Sequence, residues 1–214
     1  MKATAIVPVK RFHEAKRRLA PGIAAERRLA LVAAMLEDVL EAIAGARTIE
    51  RTIVVSGDPV AQEIAASASA EVVPDPSDEG HVEAVLAGIA RAEVEGARCV
   101  ALLPGDCPLL DPRELDRLLT GVPEPYAAIV PDRHGEGTNG LVLSPPTAIR
   151  PAFGEGSRAR HVDAARRAGI PYAVEELASL ALDLDTPADL VALTRELARL
   201  GSGAARRTAE ALGI

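Results

Sequence analysis

Apolar residues recur along this chain in two alternating patterns. Short runs rich in β-branched residues, typical of buried strands, lie at 3–9, 52–55, 71–73, 99–103 and 127–130. Between them, apolar residues three or four positions apart predict helices over 26–43, 59–67, 82–95 and 112–119. Because strands and helices alternate at this length, we expect an α/β protein with a mostly parallel sheet covered by helices on both faces.

The pattern changes after residue 131. Polar, glycine-rich stretches at 132–140 and 153–157 lead to a short apolar run at 141–143 and to a helix predicted over 158–168. Short strands are predicted at 171–174 and 180–184, and Thr186-Pro187 begins a last helix that reaches about residue 200. We find no linker or repeat and predict one domain over 1–214. It consists of a first half at 1–131, a second half with the substrate loops at 132–200, and a tail at 201–214 that forms a loose or packed helix.

Composition and charge exclude several classes of protein. The 214 residues carry a net charge of −7, no long basic block and 2% aromatic residues, which disfavours binding to nucleic acid. No apolar run approaches the ~18 residues of a membrane span, and the N-terminal run lacks the pattern of a signal peptide. Cys99 and Cys107 have no partners at metal-binding spacing, so we expect both to be reduced. These features predict a cytoplasmic protein with neither nucleic-acid nor membrane partners.

The lysines are placed unevenly. Of the 24 basic residues, 21 are arginines, and the three lysines all lie within the first 16 positions. Lys10 and Lys16 belong to a loop that follows the first predicted strand and carries five cationic residues over 10–18. This loop has neither the P-loop nor the dinucleotide-binding glycine pattern. Because ligands of open α/β sheets bind beyond the carboxyl ends of the strands, a cationic loop at this position suits a triphosphate.

Three aspartates are candidates for binding a divalent cation. Asp106 follows the apolar run at 99–103 in a turn stiffened by Pro104 and Pro108. A single carboxylate of this kind commonly holds Mg²⁺ on a substrate phosphate. Asp183 and Asp185 are two positions apart, so an extended backbone places them on one face, and we expect one of them to complete the site with Asp106.

The two glycine-rich stretches supply donors for a small anion. The first carries Arg133, Thr138 and Asn139, and the second runs into a predicted helix with Ser157 as its expected N-cap, a geometry that binds anions. The chain has no motif of a serine hydrolase, a zinc protease or a thiol oxidoreductase. Cations, metal carboxylates and anion loops are the parts of phosphoryl or nucleotidyl transfer.

Taken together, these segments resemble the guanylyltransferase family of coenzyme F-420 biosynthesis, whose members couple GTP to 2-phospho-L-lactate or, in bacteria, to phosphoenolpyruvate. The resemblance extends over residues 3 to about 195 and rests on the motifs at 6–10 with 15–19, 104–108, 137–139, 153–157 and 183–187. It implies a nucleotide-diphospho-sugar transferase fold, which is Rossmann-like: a three-layer α/β/α sandwich around a mostly parallel mixed sheet.

The resemblance also implies roles for single residues. GTP is expected in the first half of the chain, with Lys10, Lys16 and Asp106 as catalytic residues. The full nucleotide-binding set is Pro8, Lys10, Lys16, Arg18, Gly80 and Gly105. Mg²⁺ is expected on Asp106 and Asp185, with Asp183 as the other candidate. The phosphorylated three-carbon acid is expected at Thr138, Asn139, Gly154 and Ser157. Where the family often has Gly-Leu-Asn-Ala-Ala, this chain has Gly80-His81-Val82-Glu83-Ala84.

Other interpretations of the same residues stay open. One is a different nucleotidyltransferase of this fold, which uses CTP or another nucleotide, or an acceptor such as 3-phosphoglycerate or a sugar phosphate. Another is a non-catalytic, nucleotide-binding regulatory domain. Phosphoenolpyruvate, 2-phospho-L-lactate and 3-phosphoglycerate differ by groups worth only ~1–3 kcal/mol of discrimination, and the residues favour none of the three. A downstream transferase of the same pathway is a further candidate partner, and the sequence indicates no particular oligomeric state.

Overall fold

The computed structural model describes residues 2–13, 16–19, 23–75, 80–201 and 203–214. Within these residues, seven strands form one sheet. They are β1 (Ala3–Val9), β2 (Ile49–Ser56), β3 (Glu71–Pro74), β4 (Val100–Leu102), β5 (Tyr126–Pro131), β6 (Thr138–Ser144) and β7 (Tyr172–Val174). The helices are α1 (Ala25–Gly45), α2 (Pro59–Ser67), α3 (His81–Val94), α4 (Pro112–Leu119), α5 (Ser157–Ala168), α6 (Pro187–Leu200) and α7 (Arg206–Leu212), with a short 3-10 turn at Arg17–Leu19.

The strand order across the sheet is β3-β2-β1-β4-β6-β5-β7. All pairings among β1, β2, β3 and β4 are parallel, as is the pairing of β5 with β7, whereas β6 runs antiparallel to both of its neighbours. The predicted mostly parallel, mixed sheet is therefore confirmed. Because β6 is reversed, its first residue, Thr138, lies at the edge of the sheet where β1 and β4 end.

Helices cover both faces of the sheet, and alternate strand residues supply two apolar cores. Val7 of β1 belongs to the core shared with α1, whereas its neighbour Ile6 belongs to the core shared with α3. Gly88 allows α3 to lie close to the sheet, since a Cβ at this position would be 2.4 Å from Cγ2 of Ile6. This close packing holds the first residue of α3, His81, near the ends of β1 and β4.

Local capping signals place three helices as predicted. Asp111 accepts a hydrogen bond from the amide of Arg113 at the start of α4, and Thr186 forms a reciprocal capping box with Asp189 at the start of α6. The side chain of Asp58 caps α2 in the same way. Each of these helices has proline at its first position, where no backbone donor is lost.

Two predictions about the second half of the chain are wrong. Residues 180–184 form no strand: Leu182 and Leu184 are buried because this segment packs against the turn after β4, where the Leu184 amide lies 3.3 Å from the carbonyl oxygen of Asp106. The apolar run at 141–143 lies within β6, which begins at Thr138 because the pairing with β5 extends to its polar first residues. Ser157 is the first residue of α5 and not its N-cap. Gly156 occupies the cap with φ of 67°, a conformation that glycine adopts without strain.

The C-terminal tail contains a packed helix. The carboxylate of Asp38 in α1 accepts a hydrogen bond of 2.8 Å from the amide of Thr208, and Arg207 forms ion pairs with Glu37 and Glu41. These contacts attach α7 to α1. Over the described ranges of the chain, no helix is long and apolar enough to cross a membrane.

Candidate active site

A cavity of about 450 Å³ lies at the sheet edge where β1 and β4 end side by side. The order of the strands reverses between these two neighbours, which is where ligands of open α/β sheets bind. Residues from the loop after β1, the turn after β4 and the segment before α6 form its polar wall. The predicted site residues in its lining are Pro8, Lys10, Lys16, Arg18, Gly105, Asp106 and Asp185.

Lys16 joins the two carboxylates of this wall. Its ammonium group forms an ion pair with Asp106 and lies 2.8 Å from Oδ1 of Asp185. The side chain of Lys16 is only 7% exposed. Burial lowers its pKa, but the negative charges of Asp106 and Asp185 outweigh this effect, so the net pKa lies well above the ordinary value. Lys16 is therefore a fixed positive charge.

The loop that carries Lys16 is anchored at both ends of its described part. The backbone amide of Phe12 donates a buried hydrogen bond of 2.8 Å to Oδ2 of Asp58, whose other oxygen caps α2. At the far end, the amide of Leu19 donates to the carbonyl oxygen of Lys16, and the Leu19 side chain is buried. Ala15 and the side chain of Arg17, both part of the cationic motif, lie outside the described part of the structure.

The backbone of Asp185 is fixed by the start of α6. Oδ2 of Asp189 accepts hydrogen bonds from the amides of Asp185, at 3.1 Å, and Thr186, at 2.6 Å. Arg133 forms an ion pair of 2.5 Å with Oδ1 of Asp189. The Asp185 side chain is nevertheless 54% exposed, which leaves it open to the cavity.

The pair of Asp106 and Asp185 fits a divalent cation. The two carboxylates come from separate elements and converge on one positive charge, the Lys16 ammonium, so the oxygen donors that a divalent cation would need are already close together. Among the described residues, no group of three or more acidic, histidine or cysteine side chains could hold a metal ion. A cation here would therefore complete its shell with water and phosphate oxygens, as Mg²⁺ does on nucleotide substrates.

Asp183 has a different environment from Asp185. Its Oδ1 accepts a hydrogen bond of 3.2 Å from the side-chain amide of Asn139, which also donates to the carbonyl oxygen of Leu180 at 2.7 Å. Burial raises the pKa of Asp183, and the negative charge of Asp106 adds to this effect. Asp183 therefore holds Asn139 in place behind the wall that Asp185 forms.

A smaller cavity of about 30 Å³ adjoins the first one. It shares Pro8, His81 and Pro104 with the larger cavity. Thr138, Asn139 and Phe153 form its other side. The described residues thus include a small compartment that opens beside the Asp106 turn.

Three other predicted residues lie around these cavities without lining either of them. Gly80 is the N-cap of α3, directly before His81. Gly154 follows Phe153 with φ of 106°, and Ser157 is buried at the start of α5. The amides of Ser157 and of the next residue already donate to carbonyl oxygens, so the α5 terminus offers fewer free donors than its sequence predicts.

Sequence reasoning missed two histidines near these cavities. His81 lines both cavities, and the ring of Phe153 lies between His81 and His161, with edge-to-face centroid distances of 5.0 and 5.1 Å. Burial lowers the pKa of His81, Asp106 raises it and Lys10 lowers it further. His161 could have been found from its spacing, because it lies one helical turn after Ser157 and therefore on the same face of α5.

Solved structures place the fold among the nucleotidyltransferases. A crystal structure described as a nucleotide-diphospho-sugar transferase, from Desulfovibrio desulfuricans G20, superimposes with a TM-score of 0.73 at 18% identity and covers 98% of this chain and 95% of its own. A Mycobacterium tuberculosis H37Rv protein solved in complex with manganese gives a TM-score of 0.58 at 18% identity, over 91% of this chain and 99% of its own. The fold is therefore that of the nucleotidyltransferases.

The sequence identifies the family within this class. The model of the guanylyl transferase CofC-like family matches residues 3–205. A phosphoenolpyruvate guanylyltransferase from Conexibacter woesei is 48% identical over 208 residues, which cover 96% of this chain and 93% of the relative. The chain therefore belongs to the guanylyl transferase CofC-like family and is a guanylyltransferase.

Proposed function

We propose that this enzyme joins the guanylyl group of GTP to phosphoenolpyruvate and releases pyrophosphate. The observation that carries the proposal is the convergence of Lys16, Asp106 and Asp185 in the cavity at the strand reversal. The activity named for the 48% identical relative supports guanosine as the nucleoside and phosphoenolpyruvate as the acceptor. The product is a diphosphate-linked guanosine intermediate for coenzyme F-420 biosynthesis, which a downstream transferase would consume.

The reaction needs no nucleophile from the protein. A phosphate oxygen of the acceptor, already anionic at neutral pH, attacks the α-phosphorus of GTP. A new phosphorus–oxygen bond forms, and the bond to the leaving pyrophosphate breaks with its electron pair on pyrophosphate. The work of the protein is to hold both anions in line and to offset their repulsion.

Positive charge on the larger cavity serves this purpose. Lys10, Lys16 and Arg18 line it and face the GTP phosphates in our proposal, with Pro8, Gly105 and the Gly80 segment as the remaining nucleotide contacts. Mg²⁺ bound to Asp106 and Asp185 would supply further positive charge to the phosphates.

The acceptor occupies the smaller side of the site in this proposal. Thr138 and Asn139 line the cavity that opens next to the Asp106 turn, which brings an acid bound there close to the phosphates of GTP. Gly154 and Ser157 belong to the loop and helix that enclose Phe153 on the same side. The smaller cavity of about 30 Å³ has room for only part of a phosphorylated three-carbon acid, so one anionic group would contact Thr138 and Asn139 while the rest of the acid extends into the larger cavity.

Direct product analysis tests the proposal. The purified protein is incubated with GTP, Mg²⁺ and phosphoenolpyruvate, 2-phospho-L-lactate or 3-phosphoglycerate in separate reactions, with pyrophosphate release and mass detection of the product. We expect a guanosine product with phosphoenolpyruvate and much less with CTP in place of GTP. If only a different acid gave a product, that acid would take the place of phosphoenolpyruvate as the acceptor. If none of the three acids gave a product, the proposal would be overturned.

The matched control for this experiment is Asp106→Asn. This variant keeps the size of the side chain and removes the charge that Lys16 contacts. Loss of product in the variant, together with an unchanged circular dichroism spectrum, shows that turnover depends on the described site and not on a contaminating enzyme.

A further inference from the structure

His161 is a completely buried histidine whose two ring nitrogens both have defined partners. The side chain is 0% exposed, and Nε2 accepts a hydrogen bond of 2.8 Å from the backbone amide of Ala152. A backbone N–H can only donate, so Nε2 carries no proton. The ring is held from the side by the edge-to-face contact with Phe153.

The proton of the neutral ring therefore lies on Nδ1. Burial lowers the pKa of His161 to about 4, with a smaller contribution from the positive charge of Arg160, so the ring is neutral at physiological pH. A neutral imidazole has one donor and one acceptor nitrogen, and the hydrogen bond from the Ala152 amide identifies Nε2 as the acceptor.

This tautomer decides the direction of the next hydrogen bond. Nδ1 of His161 lies 3.0 Å from Oγ1 of Thr138. Since Nδ1 donates, Oγ1 must accept, and the hydroxyl proton of Thr138 is left for another partner. Thr138 is the first residue of β6 and lines the smaller cavity beside Asn139 and Phe153.

We propose that His161 is a positioning residue that fixes Thr138 as a hydrogen-bond donor toward an anionic oxygen of the acceptor. The two hydrogen bonds run in one direction, from the Ala152 amide to His161 and from His161 to Thr138. The hydroxyl proton of Thr138 is therefore available to an acceptor atom before the acid binds. A site with this polarity selects phosphate or carboxylate oxygens and disfavours an N–H or protonated group at the same place. The assignment of the ligand rests on the proposed function, whereas the tautomer does not.

The tautomer is measured first, on the full-length protein without substrates. Long-range ¹H–¹⁵N NMR spectra distinguish a protonated from an unprotonated imidazole nitrogen. We expect His161 to show protonated Nδ1 and unprotonated Nε2 at neutral pH. The opposite tautomer, or a doubly protonated ring, would overturn the inference without any reference to activity.

Two variants then separate the two hydrogen bonds. His161→Gln places its amide near the Nε2 position and loses the contact with Thr138, whereas His161→Asn places its amide near Nδ1. We expect His161→Gln to raise KM for the acid about tenfold or more, with KM for GTP within about twofold, since the variant removes the partner that fixes the Thr138 hydroxyl as a donor. His161→Asn is expected to have a KM for the acid between those of His161→Gln and the parent protein.

The double variant tests whether His161 acts through Thr138. We expect Thr138→Val to raise KM for the acid, and Thr138→Val with His161→Gln to raise it no further, because both changes remove the same interaction. Thr138→Ser retains the hydroxyl and is expected to raise KM for the acid less than Thr138→Val. The control is His134→Gln, which changes an exposed loop histidine. Additive effects of Thr138 and His161, or an unchanged KM for the acid in both His161 variants, would refute the positioning role.

The outcomes also distinguish this inference from the proposed function. If the parent protein converts no phosphorylated acid, the proposed function fails, and the donor role of Thr138 toward that acid fails with it, while the tautomer measurement still reports on the hydrogen-bond chain. If the parent is active and His161→Gln has an unchanged KM for the acid, only the positioning role fails. Melting temperatures of all variants identify any that do not fold.

Discussion

The ammonium of Lys16 lies between two carboxylates, paired with Asp106 and 2.8 Å from Oδ1 of Asp185. One cation thus pairs with two acidic side chains that are 90 and 169 positions away in the sequence. The same two carboxylates are the proposed ligands of Mg²⁺. Lys16 and a divalent cation would therefore compete for them, and binding of the metal would release the ammonium toward the triphosphate.

Competition of this kind predicts that removal of Lys16 strengthens metal binding. In the absence of nucleotide, Lys16→Met should bind Mn²⁺ several-fold more tightly than the parent, because the carboxylates lose their internal counter-ion, although the variant loses turnover. Isothermal calorimetry or electron paramagnetic resonance of free Mn²⁺ measures the affinity. Lys2→Met, which removes an exposed charge at the N-terminus, is the control. Weaker Mn²⁺ binding in Lys16→Met would instead mean that Lys16 supports the metal site.

Lys10 and Lys16 should not be replaceable by arginine. The Lys16 ammonium occupies a buried position between two carboxylates, which a planar guanidinium with fixed donor directions does not fit in the same way. We expect Lys16→Arg to raise KM for GTP or lower kcat despite the conserved charge, and Lys10→Arg to have a smaller effect because Lys10 is exposed. If both variants match the parent in steady-state kinetics, the clustering of the three lysines within the first 16 residues has no functional cause.

The three aspartates should separate into two groups. We expect Asp106→Asn to lower kcat by on the order of a hundredfold, equivalent to ~2.7 kcal/mol, because it removes a ligand of the metal site. Asp183→Asn should retain activity to within a few-fold, since its carbonyl oxygen still accepts the hydrogen bond from Asn139. Steady-state kinetics at saturating Mg²⁺ compare the two. Asp185→Asn should behave like Asp106→Asn, and a greater loss in Asp183→Asn than in Asp185→Asn would move the metal site from Asp185 to Asp183.

His161 predicts a dependence of stability on pH. Its pKa falls from 6.5 to about 4 on folding, so between these values the unfolded state binds more protons and stability decreases as the pH falls. Between pH 7.5 and pH 4.5, the free energy of unfolding should fall by ~2–3 kcal/mol more in the parent than in His161→Asn, whose side chain does not titrate. Urea denaturation at both pH values measures it. Equal losses in the two proteins would contradict the low pKa.

Asp58 should couple helix capping to nucleotide binding. Asp58→Ala removes the cap of α2 and the anchor of the Phe12 amide, so we expect a loss of ~1–2 kcal/mol in stability and a higher KM for GTP. Asp111→Ala is the matched control, because Asp111 caps α4 in the same way but accepts no hydrogen bond from the loop that carries Lys10 and Lys16. It should lose comparable stability with an unchanged KM for GTP. A raised KM in both variants would mean that the effect reflects general destabilisation.

Periodicity and local capping explain which elements were predictable. The strands at 3–9 and 71–73 and the helices at 59–67 and 112–119 closely match β1, β3, α2 and α4. Burial on both faces of the sheet gives β1 a continuous apolar run, and a Pro at the first position marks the start of each of the two helices. The segment 180–184 misled the same reasoning. Its leucines are buried against a turn rather than a neighbouring strand, and periodicity reports burial without identifying the partner.

The sequence by itself determined the layered α/β fold, the cationic loop after the first strand, the Asp106 turn and the family to which the chain belongs. Only the tertiary structure decided that Lys16 pairs with Asp106 and Asp185, that Asp183 supports Asn139, and that His161 orients Thr138. The physical reason is the separation along the chain of the residues that interact. Hydrophobic periods and caps are set by neighbours along the chain, whereas these contacts join positions from 23 to 169 residues apart, which meet only where the strands of the sheet end together.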